Sequence, residues 1–97
     1  MPIDVEVKFL GIYQRLAGKK SVQLKLDTPT TIRKAMKQLA EIFSEDFKRA
    51  LIDDQLDDPK PNALIIVNGK EINVLQGLET EINHAEEIIL IPMVHGG

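Results

Sequence analysis

At 97 residues, with 43% hydrophobic and 28% charged residues, the chain has the composition of one small folded domain rather than of a disordered segment. Its formal net charge is −3, and the twelve Lys and Arg residues are scattered among fifteen Asp and Glu residues, which argues against direct binding of nucleic acid. Cysteine is absent, so disulfides, thiolate metal sites, a Cys nucleophile and iron–sulfur clusters are excluded.

The sequence shows no targeting or membrane segment. No basic region followed by an apolar one opens it, and no stretch reaches the roughly 18 apolar residues of a membrane span. We therefore expect one domain over residues 1–97, a cytoplasmic location and no membrane partner.

The first third of the chain has the pattern of a β-hairpin. Apolar and polar residues alternate from residue 3 to residue 9 and again from 21 to 26, which predicts two half-buried strands. Gly11, Gly18 and the pair Lys19-Lys20 interrupt the alternation, so the two strands are predicted to be joined by a long loop.

Two helices are predicted next. Residues 28–31 offer three threonine hydroxyls for capping, and the apolar residues that follow recur at helical spacing: Ile32, Ala35, Met36, Leu39, Ala40 and Phe43. This stripe predicts the main helix. Ser44, followed by Glu45 and Asp46, predicts the start of a short second helix that continues to Leu51.

The second half of the chain predicts three strands. Residues 53–61 contain two prolines and four aspartates, and they are interpreted as a solvated loop because they lack the ligand spacing and glycine of an EF-hand. An apolar run over 63–67 ends at Asn68-Gly69, which predicts a tight turn with a return strand over 71–74. Residues 87–94 are apolar on both faces, as in a central strand.

No autonomous active site or metal site is predicted. His84 and His95 are the only histidines and lie too far apart in sequence to suggest a metal site or a proton relay, so His84 is interpreted as incidental. The Ser and Thr residues lack a nucleophile motif, and turn or capping roles suffice for them.

The sequence closes on the tail Val94-His95-Gly96-Gly97, directly after the predicted central strand. Two glycines have no side chains to obstruct entry into a narrow cleft. A carboxylate is a poor electrophile, so an adenylating enzyme must convert it to an acyl-phosphate anhydride before sulfur or an amine can attack. We therefore predict that residues 95–97 form a flexible functional tail in which Gly97 is activated.

The order of elements, the Asn68-Gly69 turn, the segment 78–82 and the ending 88–97 resemble the ubiquitin-related modifier and MoaD/ThiS sulfur-carrier families. The likeness spans essentially the whole chain; it departs at residues 84–86, His-Ala-Glu, where MoaD relatives often carry Asp-Gly-Asp. It implies an α+β, β-grasp (ubiquitin-like) fold, in which one main helix packs across a mixed sheet and a short second helix follows.

The resemblance also implies how the chain works. An E1-like enzyme would use ATP to adenylate Gly97, which would become a thiocarboxylate or be conjugated to lysine, and the chain itself would be no enzyme and hold no cofactor. The favoured function is sulfur delivery for tRNA thiolation or molybdopterin synthesis. A protein modifier joined to target lysines through Gly97 and a binding domain with incidental glycines are the alternatives; a β-grasp ferredoxin is excluded because it needs cysteine.

A docking surface is predicted on the final strand. Alternation places Ile88, Leu90 and Val94 on one face and Ile89, Ile91 and Met93 on the other. Only one long helix is predicted, so it can cover only one face. We predict that Ile89, Ile91 and Met93, with Leu75, form the surface for the E1-like enzyme or the sulfur acceptor, and that Val94, His95 and Gly96 serve tail recognition.

Overall fold

The computed structural model describes residues 1–59, 63–84 and 87–92, and these ranges contain nine strands and three α-helices. The strands in chain order are β1 (Pro2–Phe9), β2 (Ser21–Asp27), β3 (Thr30–Thr31), β4 (Ile52–Asp53), β5 (Asp58–Pro59), β6 (Ala63–Val67), β7 (Lys70–Glu71), β8 (Glu81–Ile82) and β9 (Glu87–Pro92). The α-helices are α1 (Gly11–Ala17), α2 (Ile32–Glu41) and α3 (Glu45–Leu51), and two 3-10 helices span Ile72–Val74 and Gly77–Glu79.

The main sheet has five strands in the order β2-β1-β9-β6-β7. The strand pair β1–β2 is antiparallel, β9 runs parallel to β1, and β6 runs antiparallel to β9. Two short two-stranded ladders, β3–β8 and β4–β5, lie outside it. The predicted α+β class with a mixed sheet is therefore confirmed.

The main helix begins where the sequence predicted. The Thr31 hydroxyl accepts a hydrogen bond from the backbone N–H of Lys34 at 3.3 Å and so caps α2. Five residues of the predicted stripe are buried in the same hydrophobic core as the inward residues of the sheet: Ile32, Ala35, Met36, Leu39 and Ala40. The sixth, Phe43, lies beyond the end of α2 at Glu41 and packs against this core while partly buried. Burial of this stripe, rather than helix propensity, holds the ten-residue helix in place.

The short helix α3 adds an aromatic cluster to the core. The Ser44 hydroxyl accepts the N–H of Phe47 at 3.2 Å, which confirms the predicted cap. The Phe47 ring packs edge-on against Phe9, with centroids 5.5 Å apart, and at 4.9 Å from Phe43. These contacts attach α3 to the sheet and to the short connection that follows α2.

The prediction of a long loop between the first two strands was wrong, because seven of its residues form α1. Tyr13 is buried, and its ring lies 6.1 Å from that of Phe47. This contact joins α1 to α3 on the helix side of the sheet. The missed signal is weak, since α1 has too few residues to show more than one turn of apolar periodicity.

Two more predicted boundaries need correction. Asn68 and Gly69 form the predicted tight turn, with φ angles of 50° and 83°. The return strand covers only residues 70–71. Residues 72–74 form a 3-10 helix instead, which places the Ile72 side chain in the core. The loop predicted over 53–61 contains ladder residues: Ile52 pairs with Pro59 and Asp53 with Asp58. Lys60 and Pro61 of that prediction lie outside the described residues.

We expect Leu39→Ala to lower the free energy of unfolding by about 2–5 kcal/mol, because Leu39 is fully buried at the middle of the α2 stripe. Urea denaturation with a fitted midpoint and slope measures this loss. Lys34→Ala, at an exposed position of the same helix, is the matched control and should change stability by less than about 0.5 kcal/mol. Equal midpoints for the two variants would contradict the packing described.

Candidate functional site

The candidate site begins at β9, the central strand of the sheet. Residues 87–90 pair with β1 and residues 88–92 pair with β6, so hydrogen-bonded neighbours hold β9 on both sides. This confirms the prediction of a central strand. The next five residues carry most of the predicted site, Met93, Val94, His95, Gly96 and Gly97; they lie outside the described residues, and their roles stay predictions.

The two faces of β9 differ as the sequence predicted. Ile88 and Leu90 are fully buried, whereas Ile89 and Ile91 are partly exposed on the opposite face. The assignment of these four residues to two faces is therefore confirmed. A docking role for Ile89 and Ile91 stays a prediction.

The structure adds two residues that the sequence analysis missed. Leu64 of β6 lies directly across from Ile91, and Ile66 lies across from Ile89. All four side chains are partly exposed, and we call them the open-face patch. The sequence does contain a signal for these two residues, since residues 63–67 are apolar without alternation, as expected for a strand with apolar residues on both faces.

Leu75 does not belong to this patch by strand position. It lies between the two 3-10 helices, is 38% exposed, and lines a shallow depression with Gln76, Thr80 and Glu81. Its proposed part in docking therefore has no support from sheet geometry.

Charged residues of β1 border the open-face patch. Asp4, Glu6 and Lys8 alternate with the buried residues of β1, and Lys8 lies beside Ile89 in the parallel ladder. The Lys8 Nζ is 2.8 Å from Glu87 Oε2, and the hydrogen bond to this carboxylate raises the pKa of Lys8 above its usual value. The patch thus has an ionic rim, which is typical of protein interaction surfaces.

The start of α1 contacts the end of β9. The Leu10 N–H donates to the Leu90 carbonyl at 3.1 Å, and Gly11 follows with a φ of +57°. A Cβ on Gly11 would lie 2.7 Å from Pro92 Cγ, so glycine permits this close approach. The α1 segment therefore lies against the strand that leads into residues 93–97.

Residues 1–59, 63–84 and 87–92 contain neither a cluster of metal ligands nor a membrane-spanning helix. No group of three or more His, Cys, Asp or Glu side chains there is arranged to hold a metal ion. In the same ranges, no helix has the length and apolarity needed to cross a membrane. His84 is exposed and contributes to no such cluster.

Comparison with known proteins gives one consistent picture. The ThiS family pattern matches residues 7–97. Small archaeal modifier protein 3 of Haloferax volcanii is 25% identical over 95 residues, which cover 98% of this chain and 100% of that protein. An Archaeoglobus fulgidus protein that bears the provisional name of sulfur carrier protein is 31% identical over 67 residues, 69% of this chain and 74% of its own length.

Solved structures agree with the fold. The solution structure of small archaeal modifier protein 1 from Methanosarcina acetivorans superposes with a TM-score of 0.84 at 22% identity, covering 100% of this chain and 99% of that chain. The predicted β-grasp, ubiquitin-like fold is therefore confirmed. The helix count differs from the prediction, because α1 adds a third helix to the two expected.

We expect Gly11→Ala to destabilise the fold more than Gly18→Ala. Both glycines have positive φ, +57° and +75°, so alanine at either position costs roughly 1–2 kcal/mol through the left-handed backbone. Only at Gly11 would the added Cβ also meet Pro92, since no atom lies within 4 Å of the corresponding position at Gly18. Urea denaturation of both variants measures the difference, and equal losses would show that the Pro92 ring moves aside freely.

Proposed function

The chain belongs to the ThiS family, and from that premise we propose that it is a sulfur carrier activated at Gly97 by an E1-like adenylating enzyme. The relatives are ubiquitin-like carriers and modifiers, so the coarser description, a ubiquitin-like sulfur carrier or modifier rather than an enzyme, follows from the family. The particular activation step and the receiving pathway are our proposal.

One observation carries the proposal. The central strand β9 is held by β6 as far as Pro92, and the Gly96-Gly97 pair follows in the sequence within five residues. A rigid strand can fix where a short segment leaves the domain, while two glycines present a carbonyl without side-chain obstruction. A carrier needs a stably anchored domain and a slender reactive end when the chemistry takes place in the cleft of a partner enzyme.

Activation would proceed by acyl transfer. A carboxylate oxygen of Gly97 attacks the α-phosphorus of ATP, pyrophosphate leaves, and a mixed acyl-adenylate anhydride forms. The E1-like enzyme supplies ATP and the catalytic groups, and the carrier holds no cofactor of its own. A nucleophile then attacks the activated carbonyl and displaces AMP.

The nucleophile decides the outcome. Sulfur at the oxidation level of sulfide would leave a thiocarboxylate, which can donate sulfur for tRNA thiolation or molybdopterin synthesis. A lysine ε-amine would instead leave an isopeptide bond and make the chain a protein modifier. The Haloferax volcanii relative, which is named a modifier protein, is the observation that favours this second candidate.

The open-face patch is proposed to dock the partner. Leu64, Ile66, Ile89 and Ile91 form two adjacent cross-strand pairs on the sheet face opposite the buried residues of β9. Apolar contacts there would hold the enzyme on the domain while residues 93–97 reach into its cleft. The proposal includes neither nucleic acid nor a membrane as a direct partner.

We expect deletion of residues 96–97, or Gly97→Val, to abolish adenylation without unfolding the domain. Both changes lie beyond the sheet residues that hold the core, so stability should change by less than about 0.5 kcal/mol. ATP–pyrophosphate exchange by the E1-like enzyme of the same organism measures activation, and thermal unfolding checks the fold. Undiminished exchange with the deletion variant would refute Gly97 as the activated residue.

An intact mass of the protein purified from its native host separates the two candidate functions. Replacement of one carboxylate oxygen of Gly97 by sulfur would establish sulfur carriage. Target peptides in which a lysine is joined by an isopeptide bond to a segment of this chain that ends in His95-Gly96-Gly97 would establish conjugation. The same mass measures which residue carries the terminal carboxylate.

We expect Ile91→Asp to fold and to lose binding of the E1-like enzyme, whereas Leu90→Asp should not fold. Leu90 is fully buried, and an unpaired carboxylate in the core is very costly, while Ile91 is partly exposed. Circular dichroism and calorimetric titration with the enzyme measure the two properties. Gln23→Asp, which adds the same charge to an exposed position on the same sheet face, is the control and should bind normally. Normal binding by Ile91→Asp would remove the patch from the interface.

A further inference from the structure

Basic residues are concentrated in one segment of the chain, contrary to the expectation that they are scattered among acids. Residues 7–26 contain five Lys and Arg residues and no Asp or Glu. Of the twelve basic residues this leaves seven, together with all fifteen acidic ones, so the rest of the chain has a formal charge of −8. The small net charge of −3 therefore hides a strong separation of charge.

The fold collects part of this charge around α1. Arg15, Lys19 and Lys20 line one shallow depression together with Gly11, Gln14 and Gly18. Within the part of the chain that the structure describes, none of these three side chains forms an ion pair, whereas Lys8, Arg33, Lys37 and Lys48 all do. Within the described residues, internal ion pairs therefore do not neutralise the positive charge of Arg15, Lys19 and Lys20.

Exposed apolar side chains occur at the start of the same helix. Leu10 is 45% exposed and Ile12 is 41% exposed, and both belong to the segment in which Gly11 contacts Pro92. We call Leu10, Ile12, Arg15, Lys19 and Lys20 the basic surface. It combines aliphatic contact area with uncompensated positive charge and adjoins the end of β9.

We propose that the basic surface docks an acidic, carboxylate-bearing face of the E1-like enzyme, with Leu10 and Ile12 at the apolar centre of the contact. This inference rests on the proposed function, because it names a second contact for the enzyme that activates Gly97. Positive charge around the contact selects a partner with negative charge, steers its approach and suppresses wrong partners.

A protein fits this surface better than a nucleic acid does. Single-stranded nucleic acid is held by aromatic side chains that stack on bases, and the one aromatic residue of α1, Tyr13, is buried. Aliphatic Leu10 and Ile12 would gain little against a phosphate backbone. An apolar centre with a charged rim is the arrangement of protein–protein contacts.

The short distance between residue 97 and α1 allows one enzyme to contact both the tail and the basic surface. Residue 97 is five residues beyond Pro92, and five residues span at most about 18 Å when fully extended. Gly11 lies against Pro92, so an enzyme that holds Gly97 stands within this distance of α1. A standard interface of about 800 Å² per partner is roughly 30 Å across and would cover the gap.

The test is charge reversal with a matched control. R15E/K19E/K20E should raise the KM for the carrier in ATP–pyrophosphate exchange by more than about tenfold and leave kcat within about twofold, because the contact steers association without entering the chemistry. The KM of the wild type should rise with NaCl, and that of the variant should rise less. The control K34E/R49E/K70E makes the same change in net charge at three exposed positions elsewhere and should behave as wild type.

Thermal unfolding checks that the variants fold, and K19E/K20E, confined to the turn after α1, replaces the triple variant if that one does not. Equal KM values for the basic-surface variant and the control would overturn the inference. So would loss of tRNA binding, measured by fluorescence anisotropy, with an unchanged KM, since nucleic acid would then be the partner.

The same assay separates this inference from the proposed function. If deletion of residues 96–97 abolishes exchange while the basic-surface variant behaves as the control, only the docking inference fails. If the wild type does not support exchange, or the deletion variant supports it equally, the proposed function fails and the inference fails with it.

Discussion

The structure depends on the burial of one face of β9, the strand that lies between β1 and β6 in the main sheet. Ile88 and Leu90 share a fully buried core with the α2 stripe, and ladders to β1 and β6 fix the strand on both sides. Because side chains alternate along a strand, this burial forces Ile89 and Ile91 onto the opposite face. The position of the open-face patch is thus a consequence of how the core is built.

Two surfaces of different chemistry lie near the end of β9. The open-face patch approaches from the sheet, the basic surface approaches from α1, and Gly11 and Pro92 join the two in close contact. In a carrier, the reactive group must be slender enough to enter the cleft of a partner enzyme, so the few residues that enter can supply little binding energy. Contacts on the folded body are then the natural source of affinity and of partner choice.

The sequence by itself determined the elements that have a clear periodicity or an explicit start signal. Main-helix spacing, the Ser44 cap, the Asn68-Gly69 turn and the two-faced apolar character of residues 87–92 each express a local rule, and the structure follows all of them. Alternation also assigned four residues of β9 to their faces. The glycine pair that is proposed to carry the chemistry was identified from residue type and order alone.

The tertiary structure decided what depends on residues distant in sequence. Helix α1 packs on the domain through the contact of Tyr13 with Phe47, which is more than thirty residues away in the sequence. The seven residues of α1 by themselves therefore do not indicate the helix. Leu64 and Ile66 join the patch only through pairing with β9, and Leu75 leaves it because the chain turns into 3-10 helix instead of a strand. The position of the basic surface likewise depends on folding. The charge separation is visible in the sequence, but Gly11 meets Pro92 only because β9 pairs in parallel with β1.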